Sequence, residues 1–313
     1  QSLKAGKHKK NFIASTKKNE FIIFLISGGG SALVTLPNMI SLKEKIRVNQ
    51  QLIQCGANIN EISCVRKHLS DIKGGKLVEK MPGTGISFVL SDVIGDDLSS
   101  ISSGLTYADK TTFSDALKIV KKYKIEKNIS KNVITILKNG KNGIIKEAPR
   151  KPKFPNIIIG NNKKSLIAMK TKSKKLGYSS DVIFNLNSNV KVEARKIARK
   201  LKNSSKSCII FGGETTVNVL GRGKGGRNQE LVLQLSKELR DFPCVISSIG
   251  TDGIDGNTKF AGAIVSTINL GQFENFLKNN DSFNFFKKFG GLIHTGPTHT
   301  NVNDIGIIIK QNL

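Results

Sequence analysis

Two short stretches set carboxylates directly behind an apolar run: SDVIGDD, with Asp92, Asp96 and Asp97, and GTDGIDG, with Asp252 and Asp255. In open α/β sheets ligands bind at the carboxyl ends of strands. A carboxylate placed there can accept a hydroxyl proton or hold Mg²⁺, as phosphoryl transfer requires. Asp-Gly pairs are also ordinary turn formers, so Asp255 reads equally well as part of a turn. Asp92 has no adjacent glycine and is the stronger candidate.

A second kind of chemistry is offered by SGGGSAL, where Gly28, Gly29 and Gly30 lie between Ser27 and Ser31. Glycines that tolerate positive φ let backbone N–H groups converge on an anion at the start of a following helix, and both serines can donate to it. A tight turn with no ligand is the plain alternative. The segment VRKHLSDIKGGKL gathers Arg66, Lys67, Lys73 and Lys76, which suits an acidic substrate or a solvated helix face. GETTVNVLGRGKGGRNQE contains GxGxxG in Gly221, Gly223 and Gly226 ahead of a helix, with Asp252 after the next apolar run. A dinucleotide site is therefore weighed, but the half-polar TTVNV is unlike the buried first strand of a Rossmann unit. A glycine loop followed by Arg227 reads better as a polyphosphate or substrate-anion site, since a guanidinium can clamp phosphate oxygens bidentately. Neither GxxxxGK[ST] nor the protein-kinase motif set occurs.

These residues need a scaffold, and the chain supplies alternating strand and helix patterns. ISFVLSDV (86–93) reads as a buried strand, 113–123 and 129–139 as helices, and KEAPRKPKFP (146–155) as a linker. NIIIG, a helix around 165–176, SDVIF and a helix near 192–202 continue the alternation. SCIIFGGETTVNVLG (207–221) reads as a strand whose second half is half-exposed, 227–239 as a strong helix, and PCVISSIGTDG, KFAGAIVS, GLIHTGPT and IGIIIKQ as further strands. Such alternation predicts α/β units with parallel or mostly parallel sheets. At 313 residues and 38% apolar content, two domains are the default.

The formal charge of +27 raises the question of nucleic acid. Only eight of the 50 basic residues are arginine, and the lysines are scattered with few aromatics among them, which favours compositional drift over a nucleic-acid partner. No apolar run approaches a membrane span and no signal-peptide pattern occurs, so a cytoplasmic protein without membrane partners is expected. Cys55, Cys64, Cys208 and Cys244 lack CxxC spacing and read as reduced thiols; the four histidines lack metal-ligand spacing.

SGGGSAL, RKHLSDIKGGKL, SDVIGDD, GGETTV, GRNQEL, GTDGIDG and TGPTHTNVND occur in an order and spacing that resemble the class II glycerate kinases, over Phe21 to Ile309. The resemblance implies two α/β domains. The first is a Rossmann-like, mostly parallel glycerate-kinase domain (1–148) missing its N-terminal part. A connecting α/β segment (149–205) leads to a mixed-sheet MOFRL-type domain (206–313). It implies ATP- and Mg²⁺-dependent phosphorylation of D-glycerate to 2-phosphoglycerate in a cleft between the domains, with metal ligands and oligomeric state left open, a homo-oligomer included. Catalytic roles fall on Asp92 and Arg227. Substrate or nucleotide contacts fall on Ser27, Gly28, Gly29, Gly30, Ser31, Arg66, Lys67, Gly213, Glu214, Thr215, Asn228, Glu230, Asp252, Thr298 and Asn301. An NAD(P)H-dependent hydroxypyruvate reductase, a label the family has also attracted, is the alternative, resting on the Gly221–Gly226 loop with Asp252.

Two departures from the family pattern stand out. The family carries roughly ninety further N-terminal residues, about half a domain, with a GKA-type segment whose lysine is considered functional. A chain opening at Gln1 without it is expected to be short of activity and, with an unpaired sheet edge, poorly soluble. The family's SGPTxPD reads SGLTYAD here, with Leu105 and Ala108 in place of two prolines, so that loop is expected to be less rigid.

Overall fold

The computed structural model describes residues 1–268, 270 and 272–311. These form two compact units, Gln1–Leu90 with Asp96–Ile159, and Ser91–Gly95 with the chain from Gly160 on. The stretch 149–205 is shared between them, since its strand Ser180–Leu186 and helix Val190–Asn203 belong to the second unit.

In the first unit, β1 (Phe21–Ile26), β2 (Thr84–Leu90) and β3 (Asn156–Gly160) form a sheet in that order. β1 and β2 are parallel, with Phe21 opposite Thr84 and Ile26 opposite Val89. The Ser87 N–H donates to Pro155 O (3.0 Å) and the Ser91 N–H to Gly160 O (2.9 Å), so β3 rises in the same direction. Strict alternation along β1 sends Ile22 and Phe24 onto a core with Ile13, Ile72, Leu77 and Phe154. Phe24 stacks on Phe154 with ring centroids 5.2 Å apart. Phe21, Ile23 and Leu25 point the other way and are exposed, Leu25 at 80%, as are Ile157 and Ile159 on β3. A parallel sheet is normally covered on both faces. This one is covered on one.

A helical layer makes the unit's larger core. Three of its helices start with reciprocal caps: Ser41 with Glu44, Asn58 with Glu61, and Thr112 with Asp115. Each arrangement satisfies two N–H groups that the helix itself leaves without acceptors and is worth about 1 kcal/mol. Helices Leu42–Gln54, Ile59–His68, Phe113–Lys122 and Lys131–Lys141 then bury Val48, Leu52, Val65, Phe113, Leu117, Val133 and Leu137 against one another. Each such side chain removed from water contributes about 1.5–3 kcal/mol.

The second unit is built on β4 (Ser180–Leu186), β5 (Cys208–Gly213), β6 (Cys244–Gly250), β7 (Gly262–Ser266), β8 (Leu292–Ile293) and β9 (Asp304–Lys310), in the order β4-β5-β9-β6-β7-β8. β4 and β5 are parallel, and every other pairing is antiparallel. Helices Val190–Asn203 and Arg227–Glu238 cover one face, placing Ile197, Leu201, Val232 and Leu235 in a core with Phe211, Ile246 and Ile308. Helix Asn162–Lys175 covers the other through Leu166, which joins Cys208 and Ile210. The α/β class, the parallel first sheet and the mixed second sheet agree with the sequence reading.

Three local expectations are corrected. The strand expected over 207–221 stops at Gly213; Glu214 and Thr216 still bond to Leu186 and Ser188, and residues 220–224 run along Asn279–Asp281, held by bonds such as Gly223 N–H to Asn279 O (2.9 Å). The helix after SGGG is a single turn, Gly30–Leu33, too short to develop a substantial dipole. The GLIHTGPT run yields only the two-residue β8. All four cysteines are free, and burial pushes the Cys208 and Cys244 thiols up to about 11. Among the described residues no helix is long and apolar enough to cross a membrane.

Candidate active site

The central antiparallel strand β9 decides where the second unit's charged residues meet. Its first residue, Asp304, lies opposite Gly213 at the end of β5 and opposite Gly250 at the end of β6. A side chain at Gly250 would approach Ile254 O at 2.9 Å and Asp252 Oδ1 at 3.1 Å, so glycine here keeps the space beside Asp304 open. Into that space comes Arg227, the first residue of its helix. Its Nε donates to Asp304 Oδ2 (2.6 Å) and its Nη2 to Asp304 Oδ1 (3.0 Å), a two-pronged contact, while Nη1 faces Glu214 Oε1 at 3.4 Å. Asn228 Nδ2 adds a bond to Asp304 Oδ1 (3.0 Å), and Ser248 Oγ donates to Asn228 Oδ1 (2.6 Å). The guanidinium stays 36% exposed while Asp304 is buried. The pair therefore presents a fixed, partly desolvated cation to the outside.

Asp255 is a helix cap supplied from another segment. Gly226, at the N-cap, has no side chain to offer, and a Cβ there would sit 2.3 Å from the Asp255 carboxyl carbon. The carboxylate instead accepts the N–H groups of Asn228 (3.0 Å) and Gln229 (2.9 Å). Burial pushes its carboxyl up to about 6 against those bonds.

Beside this cluster lies a cavity of about 530 Å³, lined by Thr215, Gly225, Gly226, Arg227, Glu230 and Ser282 among others. Thr215 Oγ1 and Ser282 Oγ are buried there without hydrogen-bond partners, which suits a polar ligand. Burial pushes the Glu230 carboxyl from 4.5 up to about 7. The folded state thus holds this proton to higher pH than the unfolded chain, so stability falls as pH rises between about 4.5 and about 7. Urea unfolding at pH 5 and pH 8 is expected to show a pH-dependent loss in the wild type that Glu230→Gln reduces by about 3 kcal/mol.

Asp92 belongs to the same unit, in the Ser91–Gly95 segment that follows β2. Burial raises its carboxyl, and its charge helps raise that of Glu214. Asp252 lies by Gly250, its Oδ1 accepting the Ile254 N–H (3.0 Å). Thr298 and Asn301 are occupied in turns: Thr298 Oγ1 donates to Thr251 O (2.5 Å) and Asn301 Oδ1 accepts the Asn303 N–H (2.9 Å). The GxGxxG glycines do not form a strand–turn–helix phosphate loop. Gly221 and Gly223 are pressed against Asn279 and Asp281, and Gly226 against Asp255.

In the first unit, Ser31 is surrounded by cationic groups. Lys73 Nζ donates to Ser31 O and Oγ, both at 2.7 Å, and Arg66 Nη2 donates to Ser31 Oγ at 2.9 Å. Ser103 Oγ lies 2.7 Å from Ser31 Oγ. Gly29 has φ +78°, as an N-terminal turn on glycine allows. Gly28 and Gly30 continue that turn, and the Ser27 carbonyl accepts from Ser102 Oγ at 2.6 Å. Lys67 is not an open anion contact, because it pairs with the buried Asp109 at 2.7 Å. Lys73, expected either to serve an anion or to be solvated, is fully buried.

The comparisons with known proteins agree with both units. Residues 1–138 match the family model described as a domain of unknown function, DUF4147, and residues 207–304 match the MOFRL family. A glycerate 2-kinase of Pyrococcus horikoshii is 36% identical over 99% of this chain and 75% of its own length. A D-glycerate 2-kinase of Thermotoga maritima is 39% identical over 98% and 77%. The crystal structure of a Thermotoga maritima glycerate kinase superposes with a TM-score of 0.89 at 37% identity, covering 99% of this chain and 78% of that one. The chain belongs to the glycerate kinase family.

Proposed function

We propose that the chain transfers the γ-phosphoryl group of ATP to D-glycerate, giving 2-phosphoglycerate. The observation that carries this reading is the guanidinium of Arg227, fixed by Asp304 and left partly exposed beside a polar cavity. Phosphoryl transfer depends on positioning and on charges preorganised around the moving group, and a clamped arginine supplies both. Asp92 is the proton acceptor for the glycerate hydroxyl: burial raises its carboxyl towards the range where a general base is effective. Thr215 and Glu230, which line the cavity, face the nucleotide, and Ser27 to Ser31 with Arg66 bind the acid's anionic group.

Mg²⁺ in such reactions takes one or two carboxylates plus the nucleotide's phosphates, and it neutralises charge on the phosphates. Glu214 fits that need, since it is a partly exposed carboxylate that meets Arg227 only at 3.4 Å. The two units correspond in this reading to the glycerate-kinase and MOFRL domains, acting on small molecules and not on nucleic acid. The test is incubation with ATP, Mg²⁺ and D-glycerate, with the product identified by phosphorus NMR. Absence of phosphoglycerate overturns the proposal. The packing of the Gly221–Gly226 glycines against protein favours the kinase reading over the reductase alternative.

A further inference from the structure

We propose that Lys45, Arg66 and Lys73, with the hydroxyls of Ser31 and Ser103, form a buried receptor for a small oxyanion, and that the carboxylate of D-glycerate is its ligand. The choice of ligand rests on the kinase reading above. The receptor itself rests on an imbalance of charge.

Five separate segments bring these groups into one neighbourhood. Lys45 comes from helix Leu42–Gln54, Arg66 from Ile59–His68, Lys73 from the turn before Gly74, Ser31 from the one-turn helix, and Ser103 from the turn at 102–104. Ser31 Oγ accepts from Lys73 and Arg66 and shares a hydrogen bond with Ser103 Oγ. Ser103 Oγ also accepts from Lys73 at 3.3 Å. Lys45 Nζ and Arg66 Nε are buried without any partner. Two cationic donors thus face no acceptor, and no carboxylate lies within ion-pair distance of Lys45, Arg66 or Lys73 among the described residues.

The neighbouring cations show that this is not a general property of the unit. Lys67 is matched by Asp109, and Lys76 donates to the carbonyls of Lys67 (3.0 Å) and Ser70 (2.9 Å) with Asp71, Glu79, Glu147 and Asp109 in electrostatic reach. Burial, Arg66 and Lys45 push the Lys73 ammonium down to about 6, and burial, Arg66 and Lys76 push Lys45 down to about 8. Buried cations that repel one another destabilise a fold unless an anion completes them. The backbone is strained at the same place. Ser102 and Ser103 both lie in the left-handed region, at φ 50° and 58°, a conformation non-glycine residues rarely adopt and one associated with ligand sites. That conformation holds Ser103 Oγ against Ser31.

A receptor and a structural cluster respond oppositely to removal of charge. Thermal unfolding of the full chain, and of Lys45→Met and Lys73→Met, is measured alone and with D-glycerate, inorganic phosphate or Mg-ATP. Both variants are expected to unfold at or above the wild-type temperature without ligand, and to lose at least tenfold in apparent affinity for D-glycerate. Calorimetry of the wild type at pH 7.5 in buffers of different ionisation enthalpy is expected to show proton uptake on binding, since Lys73 is recharged. Protection of the wild type by phosphate but not by D-glycerate overturns the choice of ligand. Destabilised variants that keep the D-glycerate shift, or a wild type that no oxyanion protects, overturn the receptor. D-Glycerate protection through Lys45 and Lys73 without phosphoglycerate formation leaves the receptor standing and removes the kinase reading. Catalysis with unchanged KM in both variants does the reverse.

Discussion

Arg227→Lys is expected to lower kcat for glycerate phosphorylation by about 10²–10³-fold, the scale set by removing one charge-stabilising donor from a preorganised site. Lysine keeps a positive charge against Asp304, so the buried carboxylate is not abandoned. What it cannot keep is the planar fork that reaches Oδ2 at 2.6 Å and Oδ1 at 3.0 Å while still turning Nη1 towards Glu214. Steady-state kinetics with near-ultraviolet circular dichroism separates the two effects. Near-wild-type kcat in a folded variant sinks the role given to Arg227.

Asp255→Ala is expected to cost about 2–4 kcal/mol in stability, since each buried donor left unsatisfied costs about 1–3 kcal/mol. The loss strands the N–H groups of Asn228 and Gln229 and one bond to the Asn228 amide. It also loosens the helix end that carries Arg227. Asp255→Asn keeps one acceptor oxygen and is expected to cost about 1–2 kcal/mol. Urea titrations at pH 7.5 measure both, and an alanine variant within 1 kcal/mol of wild type would falsify the capping role.

Much of this organisation is legible in the sequence, for particular reasons. The apolar runs in FIIFLI and CVISSIG, and the Ser41–Glu44, Asn58–Glu61 and Thr112–Asp115 pairs ahead of three helices, are local, and they produce the strands and helices that local physics requires. Arg227 is visible because it follows a glycine loop and opens a helix. Its partner Asp304 is not, because the rule that sites lie at carboxyl ends of strands excludes a residue that begins one. β9 runs antiparallel to both neighbours and brings its amino end to the carboxyl ends of β5 and β6. Asp255 is ambiguous for a related reason: DG marks a turn locally, and only the tertiary fold lays that turn across a helix start. Lys45 is one of many scattered lysines in the sequence, and only helix packing shows it buried. The run TTVNVLG misleads because only its start is paired, Thr216 bridging to Asn189, and the chain then turns to follow Asn279–Asp281 instead of a strand.

The uncovered side of the first sheet makes the molecule a colloid with two opposed tendencies. A charge of +27 keeps copies apart at low ionic strength. Contact between the faces carrying Phe21, Ile23 and Leu25 is attractive once two copies come within reach. Because the screening length falls from about 10 Å at 0.1 M salt to about 3 Å at 1 M, added salt removes the repulsion and leaves the attraction. The second virial coefficient from light scattering is expected to change from positive to negative across that range, and to stay positive in Ile23→Thr/Leu25→Thr. Salt, usually a solubilising choice for a basic protein, here governs whether the chains remain separate.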